Sequence, residues 1–343
     1  MQGGGTKSSL LPEAGNVVST ACLKGVTECA PHDLYVSVRA GTTLEELRQE
    51  LEGTGMQVPL ASPWPDATIG GIVSSNFNGP LRCLYGGLRD LLLSVTAVLP
   101  DGRVLRLGRP FAKDVAGYDL KKLFIGARGS LGLLTDVTLR LFPLPRLRQN
   151  LVISVPDAAE GLRGAKIIRD IYRLCSGLVF AGSPCSLVCT LEGLPEEVDF
   201  EASLIADRLS AEGLTGITQS AESSTTDAWC NFLAGTGPET TTFRLGIPFR
   251  AVGSMLQETV RLADTECFAD LANGLVYLRM PAESASRRPV VEATCSNGGY
   301  ALMIGGPARR FRPEEMYGYE PDSAALTKAL RARWDPRGIM VTG

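Results

Sequence analysis

Glycine-punctuated sequence from Ala67 to Phe142 constrains this chain more than any other stretch. It opens with ATIGGIVSSNFNGP (67–80), continues with SVTAVLPDGRVLRLG (94–108) and closes with DVAGYDLKKLFIGARGSLGLLTDVTLRLFP (114–143). Gly70, Gly71, Gly79, Gly86, Gly87, Gly117, Gly126, Gly129 and Gly132 sit where a backbone must turn tightly or approach a ligand. A residue without Cβ reaches such conformations and leaves its N–H open to anionic or carbonyl oxygens. Apolar runs of strand length separate the glycines, so the loops hang on a buried sheet. That is the architecture of a site for a large, flat, phosphate-bearing cofactor.

Composition narrows the chemistry. A chain of 343 residues, 44% hydrophobic and 21% charged, is long enough for two soluble domains, each with its own core. A net charge of −3 and no basic cluster interleaved with aromatics leave no footprint for nucleic acid. The longest apolar run, LLLSVTAVL (91–99), is half of what a spanning helix needs, so any membrane contact would come through a partner. The nine cysteines are scattered and never spaced CxxC, which fits buried small hydrophobes in a reducing compartment rather than a zinc or iron–sulfur site. His32 is the single histidine, which excludes a His-based metal site or a catalytic His pair.

Along the chain, residues 17–23 and LYVSVRAG (34–41) read as strands. Thr42 or Thr43, with Glu45 or Glu46, forms a capping box for a helix carrying Leu44, Leu47 and Leu51 on one face. The turn Pro100-Asp101-Gly102 predicts a hairpin within 94–108, and the run 131–142 reads as a central strand ended by Pro143 and Pro145. Beyond a boundary at 143–148 the texture changes to strand–helix alternation without glycine fingerprints. Strands are predicted at 151–155, 185–193, 243–249 and 273–281, and helices at 158–175, 195–213, 251–264 and 322–334. This predicts an antiparallel sheet with helices on one face.

The segment Gly3-Gly4-Gly5-Thr6 can cradle a diphosphate through successive N–H groups, with Thr6, Ser8 or Ser9 adding hydroxyls; equally it can be a flexible chain end. No GK[ST] follows at Walker spacing, and no strand precedes it as a nicotinamide-type fingerprint requires. In 67–80, small residues alternate with Ile69, Ile72 and Val73, so one face can pack inward while the other lies against a planar ligand. Tight packing between two elements is the alternative. Gly129-Ser130-Leu131-Gly132 is a turn feeding a strand, whose backbone could read the polar edge of a ring.

GGGTK, ATIGGIVSSNFNGP, the GYDL of VAGYDLKKL and GARGSLGLLTDVTLRLFP together resemble the FAD-binding domain of the vanillyl-alcohol-oxidase/p-cresol-methylhydroxylase (PCMH-type) superfamily. Within it the likeness is nearest to the small FAD-binding subunit of bacterial glycolate oxidases. It covers residues 3–146 and returns in LRARWDPRGIM, which is similar to a terminal DPxGI segment and departs from it at Val341-Thr342. The middle, from about 150 to 320, matches in element pattern alone. The resemblance implies that Gly3, Gly4, Gly5 and Thr6 bind the FAD pyrophosphate. It implies that Thr68, Gly70, Gly71, Ser74 and Asn76 line the isoalloxazine and pyrophosphate path, and that Gly126, Gly129, Ser130, Leu131 and Gly132 close over the flavin. The first glycine loop lacks the His that bonds FAD in some members, so non-covalent FAD is expected, with a Cys83 linkage as the alternative. The strand that should precede the loop is missing, which suggests a shortened version of a longer ancestor.

The fold expected is α+β: a two-subdomain PCMH-type FAD-binding domain at 1–146, then an α+β domain at 147–343 with an antiparallel sheet covered by helices. The function expected is that of an FAD-dependent oxidoreductase subunit, of the class acting on hydroxyl donors. It would oxidise a 2-hydroxy acid such as glycolate or D-lactate and pass electrons to a larger flavoprotein subunit and an iron–sulfur subunit. No metal site is expected and no catalytic base can be named; Arg244, Tyr277 and Arg279 are weak candidates for substrate contact. A relaying or assembly subunit, or a relic without FAD, is the alternative. The location implied is bacterial cytoplasm, at the inner membrane face through a partner.

Overall fold

Val36 and Val38 alternate with Tyr35, Ser37 and Arg39, and this period of two makes strand β2 (Tyr35–Arg39), antiparallel to β1 (Val26–Ala30). The computed structural model describes residues 3–5, 16–111, 118–182, 184–220, 224–237, 239–260, 264–284, 287–306 and 323–340. The chain divides into two units, one of Met1–Gly79, Gly86–Leu144 and Pro321–Gly343, the other of Pro80–Tyr85 and Pro145–Glu320.

In the first unit, α1 (Leu44–Leu51) starts at the capping box. Thr43 Oγ1 accepts the Glu46 N–H at 3.1 Å and the Glu46 carboxylate accepts the Thr43 N–H at 2.8 Å. After β3 (Met56–Gln57) come α2 (Ile69–Ser75), α3 (Arg82–Tyr85) and α4 (Leu88–Leu91), α3 being counted with the second unit. The hairpin β4 (Leu92–Val98)–β5 (Val104–Gly108) and the strands β6 (Leu133–Arg140) and β7 (Phe142–Pro143) follow. The sheet order is β1-β2-β6-β4-β5, antiparallel throughout, with β3 and β7 paired separately. Val36, Val38, Val95, Ala97, Val137 and Leu139 form its buried face and share one core with Ile69, Ile72 and Val73 of α2.

The second unit begins with β8 (Leu147–Ser154), α5 (Ala158–Ile171), β9 (Cys175–Gly182), β10 (Cys185–Gly193), α6 (Pro195–Ala211), β11 (Ile217–Ser220) and α7 (Thr225–Ala234). It continues with β12 (Thr240–Gly246), α8 (Phe249–Val260), β13 (Glu266–Asp270), β14 (Leu275–Pro281), α9 (Arg287–Ser296) and β15 (Tyr300–Gly305). These strands form one eight-stranded antiparallel sheet, β11-β8-β10-β9-β13-β14-β12-β15. α5 packs Gly161 on Phe180 and Gly164 on Leu187, both on one face of the sheet. α7 lies on the opposite face, where the Thr225 N–H donates to Thr190 Oγ1 at 2.9 Å. α3 joins it there, with Pro80 against Gly177. The final helix, α10 (Ala324–Trp334), belongs to the first unit, where Trp334 meets Phe124 at 6.1 Å between ring centroids.

Several expectations change. The strand read at 17–23 is reduced to a single bridge residue at Ser19, and the first strand starts at Val26, where β2 offers a partner. The helix read through Cys175 stops at Ile171, and Cys175 opens β9. The Glu201 carboxylate forces that stop: it accepts the N–H groups of Arg173 and Leu174 at 2.9 to 3.2 Å and holds a turn there. The second unit differs from the span 147–343 because α10 packs in the first core and residues 80–85 pack in the second. Among the described residues, no helix is long and apolar enough to cross a membrane.

Candidate flavin site

α2 is the centre of the candidate site. Thr68 caps it from extended backbone, its Oγ1 accepting the Gly71 N–H at 3.1 Å. Three further N–H groups of the first turn are taken by protein. Ile69 donates to Thr42 O, Gly70 to Ala40 O and Ile72 to Thr68 O, each at 2.8 Å. A free helix N-terminus would attract a phosphate, but this one is filled, so any phosphate cradle must come from elsewhere in the unit.

The first glycine loop passes beside this helix start. A Cβ on Gly3 would stand 2.4 Å from Thr68 Oγ1, and one on Gly4 would stand 1.7 Å from Asp66 O. Two backbones therefore pass at a separation only glycine allows. Gly5 has φ +73°, in the left-handed region. Thr6, Ser8, Ser9 and Gly117 lie outside the described residues.

At its other end α2 is held by the third glycine element. Asn76 closes the helix in the left-handed region at φ 49°, and the Gly126 and Arg128 N–H groups bond Val73 O at 3.1 Å and Ser74 O at 2.8 Å. Gly126, Arg128 and Gly129 all have positive φ, so this loop reverses sharply beside the helix. Ser130 Oγ donates to Ala127 O at 2.7 Å and accepts from Arg331 Nε at 3.1 Å, tying α10 to the loop.

The three predicted elements thus meet around one helix of seven residues, about 10 Å long. Their residues divide by role. Gly71 and Ser74 lie one turn apart and stay partly exposed, and a Cβ on Gly71 would meet only Thr68 Oγ1, at 3.0 Å. Gly126 is likewise open except toward Asn76. Those positions leave room for a flat ring, so the residues fit the expected cofactor. Gly70, Leu131 and Gly132 build the site rather than line it. Gly70 is pressed against Ala40 at 2.8 Å, Gly132 against Val98 O at 2.9 Å, and Leu131 is in the core.

Sequence reasoning missed three contributors. Asn78 is buried and donates to Asn76 O at 3.2 Å and to Asn76 Oδ1 at 2.9 Å, while its own Oδ1 accepts the Leu88 N–H at 2.8 Å. The repeated Asn of NFNGP was its only signal. The Asp66 carbonyl and Arg331 gave none.

The second unit places the weak candidates differently from one another. Arg279 is consumed structurally, bonding Phe232 O and Glu266 and stacking over the Phe232 ring. Arg244 lies opposite Tyr277 in register, is partly buried, and its buried Nε makes no hydrogen bond among the described residues. Burial pushes the Tyr277 hydroxyl well above its ordinary range, with the charge of Arg244 working against that rise. Among the described residues no group of three His, Cys, Asp or Glu is placed to hold a metal, and His32 is exposed in the β1–β2 connection. Cys83 is in α3, its Sγ 3.8 Å from the Tyr172 hydroxyl, with neighbouring Cys175 and burial raising its thiol.

Residues 1–108, which include this helix and the first glycine loop, match the family model described as FAD binding domain. These residues thus carry an FAD-binding domain, and FAD is its cofactor. It is similar to glycolate oxidase subunit GlcE of Escherichia coli (strain K12), 35% identical over 149 residues, 43% of each chain. It is also similar to the mitochondrial D-lactate dehydrogenase [cytochrome] of Arabidopsis thaliana, 37% identical over 44% of this chain and 27% of that one. The matched stretch spans less than half the length of these relatives. Among solved structures, p-cresol methylhydroxylase aligns with a TM-score of 0.74 at 15% identity, covering 93% of this chain and 77% of that one. Alkyldihydroxyacetonephosphate synthase aligns with 0.74 at 14%, covering 99% and 71%. Both likenesses concern the fold alone.

Proposed function

We propose that this chain is the FAD-binding subunit of an oxidoreductase that oxidises a 2-hydroxy acid, glycolate or D-lactate, and passes electrons to partner subunits. The observation that carries the reading is the assembly of three glycine elements around α2, in a chain related to glycolate oxidase subunits and D-lactate dehydrogenases. Gly3, Gly4, Gly5 and Thr6 would hold the pyrophosphate. Thr68, Gly71, Ser74 and Asn76 would line the ring, and Gly126, Gly129 and Ser130 would close over it, with Gly70, Leu131 and Gly132 keeping these in place. The attachment is non-covalent. Cys83, bonded to Tyr172 and its thiol raised, is poorly suited to a covalent link. The chemistry the flavin supplies when bound is acceptance of an electron pair from an oxidisable carbon.

The partners would be a larger flavoprotein subunit and an iron–sulfur subunit. Anaerobic visible spectra of the purified chain, before and after glycolate or D-lactate, test the reading. A flavin that survives gel filtration and bleaches supports it. A flavin that stays oxidised moves the protein to a relay or assembly role, and a chain that takes up no FAD sinks both.

A further inference from the structure

The loop from Gly126 to Ser130 is held from two sides within the first unit. On one side the Gly126 and Arg128 N–H groups bond Val73 O and Ser74 O at the end of α2. Arg128 sits in the left-handed region at φ 50°, where a residue with a Cβ is strained, so the loop keeps this shape only while its neighbours hold it. On the other side stands α10. Its partly buried positions Thr327, Leu330, Arg331 and Trp334 follow helical spacing, and Leu330 and Trp334 pack on the first core. The buried Asp335 closes the helix, its N–H donating to Arg331 O at 2.7 Å and its carboxylate accepting the Ile339 and Met340 N–H groups at 2.9 and 2.7 Å. From this fixed helix Arg331 Nε donates to Ser130 Oγ at 3.1 Å. Ser130 is the one hydrogen-bond partner of the Arg331 side chain among the described residues.

We infer that Arg331 is a positioning residue for the flavin: acting through Ser130, it holds the 126–130 loop in the shape that receives the ring. This role rests on the proposed reading in which that loop closes over FAD. Ser130 is 2% exposed, and with Arg331 donating to its oxygen its own O–H is left to donate to Ala127 O, at 2.7 Å. The Ser130 N–H bonds the same carbonyl at 2.9 Å, so the turn 127–130 is drawn closed. The Gly129 N–H inside that turn has no acceptor among the described residues and stays available to a ligand oxygen. Without Arg331 the turn samples other shapes, and FAD affinity falls with the fraction of chains that lose the competent one.

FAD titration of the full chain tests this with Arg331→Met, Ser130→Ala, the two combined, and Arg331→Gln. Methionine keeps an unbranched stem on the core and removes the N–H groups, whereas glutamine puts an amide nitrogen in the place of Nε. Arg331→Met and Ser130→Ala should each weaken FAD binding by about tenfold, the worth of one hydrogen bond to a charged group. The double variant should lose no more, since both changes remove the same tie, and Arg331→Gln should recover most of the loss. At saturating FAD the visible circular dichroism of the bound flavin should change alike in Arg331→Met and Ser130→Ala, a signal that a merely structural loss would leave as in wild type. Hydrogen exchange of residues 126–130 in the apoprotein should quicken in both, and an apoprotein melt verifies that they fold. Variants that bind FAD like wild type, losses that add in the double variant, or an Arg331→Gln no better than Arg331→Met would each overturn the inference and leave the flavin reading standing. A wild type that takes up no FAD overturns both.

Discussion

Gly4 crosses Asp66 so closely that a β-carbon on the glycine would stand 1.7 Å from the Asp66 carbonyl oxygen. That oxygen is backbone and cannot swing aside. Gly4→Ala therefore lifts the loop off the 66–68 segment without touching either core. FAD affinity should fall by about tenfold or more, since losing one or two backbone hydrogen bonds costs roughly 1 to 2 kcal/mol. Flavin fluorescence titration checks this, beside a melt of the apoprotein that should hardly move.

Gly70 and Gly71 are neighbours with opposite sensitivities. Gly70→Ala drives a methyl into Ala40 at 2.8 Å and should destabilise the first unit by about 2 kcal/mol. Gly71→Ala finds room except for Thr68 Oγ1, so stability should stay level or rise by up to about 1 kcal/mol from helix propensity, while flavin binding weakens. Denaturant melts and flavin titrations of both variants separate the two effects. Equal losses in both assays from both variants would refute the division into packing and lining glycines.

Thr68 has a double duty at the start of α2. Thr68→Ala removes the acceptor of the Gly71 N–H and should cost about 1 kcal/mol, with Thr68→Ser recovering most of it. Urea unfolding of the two variants is the measurement.

Asp270 sets a pH dependence opposite to that of most carboxylates. It is 1% exposed. Burial raises it from 3.8 to about 7, opposed by the hydrogen bonds of Asn273 and the charge of Arg82. Between those values the folded chain holds a proton that the unfolded chain has released, so stability falls as pH rises through this window and levels off above it. From about pH 5 to about pH 8 this group alone should remove on the order of 2.5 kcal/mol. Asp270→Asn keeps the shape and should flatten that part of the slope in denaturant melts at the two pH values. An unchanged slope would show that Asp270 titrates normally.

The parts of the fold legible in the sequence were those whose causes are local. The Thr43–Glu46 capping box, the β4–β5 hairpin and the central strand β6 follow from neighbouring residues. The end of α5 was not legible, because its cause is Glu201, some 27 residues further along. In the candidate site, the glycine patterns marked which segments converge but not which glycines face open space and which are packed. That distinction depends on Ala40 and Val98, which no motif includes. Arg331 reaches Ser130 from 201 residues away, beyond any spacing argument.

The path of the chain has a last consequence. It passes between the units at 79/80, 85/86, 144/145 and 320/321. The short excursion is anchored firmly: the Tyr85 hydroxyl donates to the buried Glu192 at 2.5 Å, and Arg148 holds the same carboxylate at 2.6 Å. A gene cut at any single point therefore severs one unit from part of itself. Neither unit can be traded between related genes by one recombination event, so the two must be inherited, and must drift, as a pair.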